Sequence, residues 1–332
     1  MFYLNLPFGL LALLVLGIFL PSHLSACSMQ TTRRSALGRI DWPGAGLLVA
    51  ATCCLLLGLS LGSTQISAWT SLPVIVLLVA FAVFSVLFFA VERKAIDPII
   101  PPELFRQQIF AVDALLTLVQ GMILIGAFIP LSLFLQGVLA LSPTSAGALI
   151  TTLSVSLSLG AALAGVSISI RKRYQMTAIM GAAIMMIGSF LLMRMTQQSS
   201  PLMIGLYLVL VGLGTGSFFA VQMVAAQNAI PQTHLGVGTG VIRYLNQLGL
   251  TLGAALMGIV VNSALTGKTG AGLPTTTAAR LALAGVLQNG FWVVLALSAL
   301  ALLITFFLKD VPMTQQPVEM SGEAEVEKEP VL

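Results

Sequence analysis

Charge is scarce in this chain. Of 332 residues, 8% are Asp, Glu, Lys or Arg, too few to cover the surface of a soluble protein of that length. Cysteine is nearly absent. Cys27 lies in a loop, Cys53 and Cys54 are neighbours in an apolar stretch, and the three make no disulfide framework. His23 and His234 stand alone in polar segments, and no His, Cys and carboxylate group has metal-ligand spacing. There is no phosphate-binding loop and no catalytic triad. Gly236, Gly238 and Gly240 match no dinucleotide fingerprint, because no strand precedes them. ATP hydrolysis and enzyme catalysis therefore have no residues to carry them. A net charge of +4, spread over several loops, gives no footprint for nucleic acid.

What the chain has is apolar length. Apolar residues make up 58% of it, and the mean hydropathy is +1.02. Nine stretches can cross a bilayer: residues 2–20, 44–62, 72–91, 109–135, 146–170, 177–195, 202–226, 238–264 and 288–308. A helix needs about 20 residues for the hydrocarbon core. Barrel strands are about 10 residues and alternate in polarity, so the uninterrupted runs exclude them. Pro21, Pro43, Pro73, Pro101, Pro102, Pro143, Pro201 and Pro231 punctuate the ends. The expected fold is an all-α integral membrane protein with nine transmembrane helices, passing repeatedly through the cell membrane.

Orientation follows from Lys and Arg. Arg33, Arg34, Arg39, Arg93, Lys94, Arg106, Arg171, Lys172, Arg173, Arg243, Lys309 and Lys328 fall on one side; Arg194, Lys268 and Arg280 fall on the other. Twelve against three makes the first side cytoplasmic, with Met1 outside and the C-terminus inside. A lipoprotein processing site at Leu24–Cys27 is the rival reading of the first stretch. It fails on the lack of Lys or Arg in residues 1–5 and on the arginines it would place outside.

The second and third spans read as a hairpin across Ser63–Ser71. A polar segment, Glu92–Gln108, separates them from six further spans that look like one unit. The loop Thr266–Thr277 reads as mobile, and the acidic tail Met313–Leu332 as disordered.

Polar groups inside a bilayer need a reason. Asp113, Thr117 and Gln120 share a helical face at spacings of four and three. A mid-membrane carboxylate costs about 3 kcal/mol on insertion scales. Asp113 either reaches water or caps the helix near its cytoplasmic end, the preferred reading, or is a protonatable group in a transport path. Arg243, Asn246 and Gln247 form a second polar face. There Arg243 either snorkels to lipid phosphate or meets substrate, and the two amides, about one turn deeper, face a cavity. Thr215 and Gln222 share a face of the seventh span. Gly212, Gly214 and Gly216 on that span favour tight packing or a hinge, and Gly249, Gly253 and Gly258 offer close contact on the eighth. Thr151, Ser154, Ser158, Ala162 and Gly165 read as a helix–helix contact row.

These residues carry a resemblance. Gly212–Gly216, then Gln227–Pro231, then Gln247–Gly253 resemble the successive motifs of the major facilitator superfamily, in its 14-helix drug:proton antiporter family. The family usually has Arg directly before that Gln; this chain has Asn246 there and Arg at 243. Phe2, Asn5, Pro7 and Gly9 resemble the start of the family's sixth helix, and Arg39, Asp41, Pro43 and Gly44 the start of its seventh. Pro101–Arg106 resembles the segment before the ninth helix. Leu135–Gly137 and Ser142–Pro143 resemble the loop after it. Arg171 and Arg173 sit where the family has a basic gating motif.

The resemblance covers residues 1–310 and implies a partial major facilitator fold, helices six to fourteen. On it, residues 1–21 are the last helix of an N-terminal bundle, and 22–108 hold two extra central helices with flanking loops. Residues 109–310 are the C-terminal six-helix bundle, and 311–332 a cytoplasmic tail. It also implies export of drugs or other lipophilic, often cationic, small molecules in exchange for protons, driven by the proton gradient with no cofactor. Candidate substrate and proton groups are Asp113, Thr117, Gln120, Gln222, Arg243, Asn246 and Gln247. Packing or gating falls to Gly212, Gly216, Gly249, Gly253, Arg171 and Arg173. The alternative is a truncated or split-transporter fragment without independent transport activity: a non-transporting piece, or a membrane subunit that needs a separate N-terminal half as partner.

Overall fold

The computed structural model describes residues 5–19, 41–63, 69–94, 98–230, 235–265 and 277–308. Among them the elements are helices: α1 (Asn5–Phe19), α2 (Trp42–Gly62), α3 (Leu72–Glu92), α4 (Pro102–Arg106), α5 (Gln108–Leu133), α6 (Pro143–Arg171), α7 (Gln175–Met193), α8 (Pro201–Ala229), α9 (Leu235–Leu265) and α10 (Thr277–Thr305). Eight of them are long and apolar enough to cross a membrane: α2, α3 and α5 to α10. Of the expected first span, α1 is described as a 15-residue apolar helix. His23, Cys27, Arg33, Arg34, Arg39, His234, residues 266–276 and the tail lie outside the described residues.

Local chemistry sets several helix ends. Ser142 and Ser200 are N-caps, each followed by proline at the first helical position. Their Oγ atoms accept from the N–H of Ser145 at 3.2 Å and of Met203 at 3.3 Å. Lys172 ends α6 in the left-handed region at φ 55, its N–H donating to Ile168 O at 2.9 Å. Arg171, beside it, meets the negative end of the helix dipole.

Two boundaries differ from expectation. α10 begins at Thr277 rather than 288, because the segment Thr277–Leu287 is rich in Ala and Leu and extends the helix ahead of its apolar window. Residues 135–137, expected in a loop, belong to a π-helical turn, Phe134–Val138, that continues α5. Pro130, inside α5 one turn earlier, has no N–H to give the ladder, and the turn follows that break.

The chain forms two compact units. One comprises residues 1–53 and 80–99 and so holds α1, the start of α2 and the end of α3. In it Asp41 Oδ1 accepts from the Gly44 N–H at 2.9 Å. The other unit comprises residues 54–79 and 100–332. Its hairpin tip sets Gly58 against Leu77 and Leu78, and the Ser63 carbonyl accepts from Asn262 Nδ2 of α9.

Within this second unit α6 and α8 share the most extensive contact, followed by α5 with α9 and α7 with α8, while α10 packs on α7 and α5. Small residues bring these backbones close. A Cβ on Gly212 would stand 2.7 Å from Leu153 O, and one on Gly253 2.7 Å from Met122 Cα. Gly216 and Gly249 leave no room for a Cβ against Leu157 O and Leu118 O. The α6 row in contact is Leu153, Ser156, Gly160 and Ala164, all buried. This corrects the expected contact row: Thr151, Ser154, Ser158, Ala162 and Gly165 are exposed. Both rows carry small residues at helical spacing, so composition does not choose between them. The fit of the α8 glycines against the α6 carbonyls does. The hydroxyls of Thr151 and Ser158 turn back to their own helix, donating to Gly147 O at 2.9 Å and Ser154 O at 3.1 Å. Buried hydrogen bonds tie other pairs, such as Ser189 to Ser298 at 3.1 Å between α7 and α10.

Candidate functional site

The polar residues of α5, α8 and α9 meet in the second unit. α5 buries Asp113, Thr117 and Gln120 together, at 0%, 2% and 2% exposure. Gln120 Nε2 crosses to α8 and donates to Thr215 O at 3.0 Å. The Thr215 hydroxyl donates to Val211 O at 2.7 Å within α8. Gln222, two turns further along α8, is buried as well.

Asp113 neither reaches water nor caps a helix. α5 starts at Gln108 with Gln107 at its cap, and Asp113 is five residues in and fully enclosed. This corrects the preferred sequence reading. The position looked close to the helix end, but the face it occupies is covered by packing. Neither of its oxygens has a hydrogen-bond partner among the described residues. The same holds for Thr117 Oγ1, Gln120 Oε1 and Gln222 Nε2. Buried polar atoms are usually satisfied, so four such side chains in one region make it the candidate site.

A small cavity opens beside them, lined by Thr117, Phe219, Gln222, Met223, Ile242, Arg243 and Asn246. Three helices contribute: α5 gives Thr117, α8 gives Phe219, Gln222 and Met223, and α9 gives the rest. Arg243 lies with its guanidinium carbon 5.2 Å from the centre of the Phe219 ring, a cation–π contact. Of the candidates read from sequence, the cavity wall thus gathers Thr117, Gln222, Arg243 and Asn246. Asp113 and Gln120, on α5, are not among its lining residues. Gln247 is exposed and does not line the cavity. Gly212 and Gly216 face α6, Gly249 and Gly253 face α5, and Arg171 and Arg173 are exposed at the end of α6.

Phe219, Met223 and Ile242 were not legible as lining residues. They are three apolar side chains among many, and their helices are apolar nearly all round. The one available signal was spacing: Phe219 precedes Gln222 by three residues and Ile242 precedes Asn246 by four. No group of three or more His, Cys, Asp or Glu that could hold a metal occurs among the described residues.

The family model for the fungal trichothecene efflux pump matches residues 1–168. Multidrug resistance protein 3 of Bacillus subtilis is 30% identical over 269 residues, which is 80% of this chain and 50% of that protein. The multidrug transporter protein MdtP of the same organism is 26% identical, over 79% of this chain and 46% of its own length. The efflux pump dotC of Dothistroma septosporum is 30% identical, over 76% and 43%. The chain spans about half the length of the curated relatives it matches. Family model, relatives and apolar helices agree that this chain belongs to the drug-efflux family of the major facilitator superfamily, as a multi-pass membrane protein.

Proposed function

We propose that this chain supplies one wall of the substrate path in a proton-coupled exporter of lipophilic small molecules. The observation that carries the reading is the enclosed, unpartnered Asp113 carboxyl one turn from Thr117, which lines the cavity. A carboxyl inside a bundle is costly and marks proton or ion pathways in membrane proteins. In this reading Asp113 takes a proton from one side and releases it to the other. Substrate meanwhile binds against Thr117, Gln222 and Asn246 and leaves in the opposite direction. Gln120, held by its bond to Thr215, fixes the α5–α8 contact next to that path.

The proton gradient is a sufficient driving force. One proton moving across 100 mV releases about 2.3 kcal/mol, and a tenfold concentration ratio adds about 1.4 kcal/mol. Facilitator sites lie between two helix bundles near the midplane. The cavity described here is formed by one such set of helices. The complementary set comes either from the same polypeptide in a longer reading frame or from a separate subunit. The relatives are about twice as long, which favours keeping both routes in view. The cytoplasmic side is the one with more Lys and Arg.

Efflux of fluorescent dyes from cells that express the full reading frame tests the proposal. Dye loss should be faster than in control cells and should stop when a protonophore collapses the gradient. No gradient-dependent loss across a broad dye panel would refute it.

A further inference from the structure

We propose that the cavity between α5, α8 and α9 selects for an anionic head group, so that the favoured ligand is an amphipathic organic acid. The inference rests on reading this cavity as the substrate site. Its polar lining is dominated by donors. Arg243 brings five N–H groups and has no ion pair or hydrogen bond among the described residues beyond its contact with Phe219. The guanidinium N–H groups thus have no acceptor among the described residues and can bind oxygen. Gln222 Nε2 and the Thr117 hydroxyl, both at least 97% buried, are on the same wall and lack partners. Asn246 adds a further amide. No carboxylate lines the cavity.

The sequence sharpens the contrast. Between Gln108 and Thr305 the only side-chain carboxyl in the sequence is Asp113, which does not line the cavity. A cation in the cavity is repelled by Arg243 and finds only neutral acceptors, the oxygens of Thr117, Gln222 and Asn246, on the lining. A carboxylate meets the guanidinium and two buried donors, an arrangement of charge-assisted bonds. The cavity is far too small for a whole drug-sized ligand, so it suits a head group with its apolar remainder beyond. Phe219, Met223 and Ile242 begin the apolar surface that such a remainder needs.

The same acidic oxygens could come from a lipid phosphate, and the test separates the two sources. Pyrenebutyrate, pyrenebutanol and a pyrenebutyl trimethylammonium ion differ only in head group. Their binding to the full chain is measured in maltoside micelles, then again with phosphatidylglycerol added. The acid should bind about tenfold or more tighter than the cation, the scale of one charge-assisted bond. Arg243→Gln should remove that preference, and Arg243→Lys should keep part of it. Arg243 is exposed, so these replacements spare the packing, and the comparison of three probes on the unaltered protein needs no variant. Equal binding of all three, or tightest binding of the cation, overturns the anion selectivity and leaves the site reading intact. Failure of all three to bind overturns both. A preference abolished by phosphatidylglycerol assigns the guanidinium to lipid phosphate and overturns the substrate class.

Discussion

Asp113, Thr117 and Gln222 share a property: each is buried with a polar atom that has no hydrogen-bond partner among the described residues. Their neighbours solve the same problem locally. Ser156, Ser189, Thr215, Ser298 and Thr305 all donate to a carbonyl one turn back. The difference allows stability and function to be separated by substitution. Thr117→Val keeps shape and removes an unpartnered hydroxyl. It should change unfolding stability by no more than about 0.5 kcal/mol, or raise it slightly. Thermal unfolding in detergent measures this, and a loss above about 1 kcal/mol would show that the hydroxyl is bonded after all. Gln120→Leu should behave in the opposite way, because it breaks the bond to Thr215 O. The lost hydrogen bond should cost about 0.5–1.5 kcal/mol in the same assay; an unchanged melting point would count against the bond.

The helices were legible in the sequence, but their faces were not. Ser142–Pro143 and Ser200–Pro201 announce helix starts through capping chemistry, and the apolar runs announce the lengths. Which side of a helix meets its neighbour is another matter. α6 has small residues on two faces, and only the carbonyls it presents to Gly212 and Gly216 decide between them. For the same reason polar candidates were visible and the apolar liners Phe219, Met223 and Ile242 were not. In a lipid solvent the outer face of a helix is as apolar as its inner face, so no hydrophobic stripe marks the inside. Asp113 shows a further limit: its type and depth were readable, its burial depended on tertiary packing. The glycine contacts give a prediction for the elements. Gly253→Val pushes a side chain into the Met122 backbone of α5. It should destabilise the α5–α9 pair by about 1–3 kcal/mol, whereas Gly240→Ala on the same helix meets open space and should be neutral. Equal melting points for the two variants would contradict the packing described.

At the scale of the molecule, eight long apolar helices among the described residues mark a membrane protein, and the distribution of Lys and Arg in the sequence gives it a proposed direction. The direction can be checked on described, exposed positions. In a variant with Cys27, Cys53 and Cys54 replaced, a cysteine at Gln198 should react with an impermeant maleimide added outside intact cells. One at Arg171 should react only after the membrane is opened; the reverse pattern would invert the topology. Direction matters because the proposed proton path through Asp113 must join the two sides while substrate moves against it.

That coupling is the central claim, and a transport assay with the full reading frame in proteoliposomes isolates it. Wild type should exchange labelled for unlabelled substrate without a gradient and should accumulate substrate when a proton gradient is imposed. Asp113→Asn should still exchange, which shows a folded and binding-competent protein, but should lose gradient-driven accumulation. Full accumulation by Asp113→Asn would contradict the account.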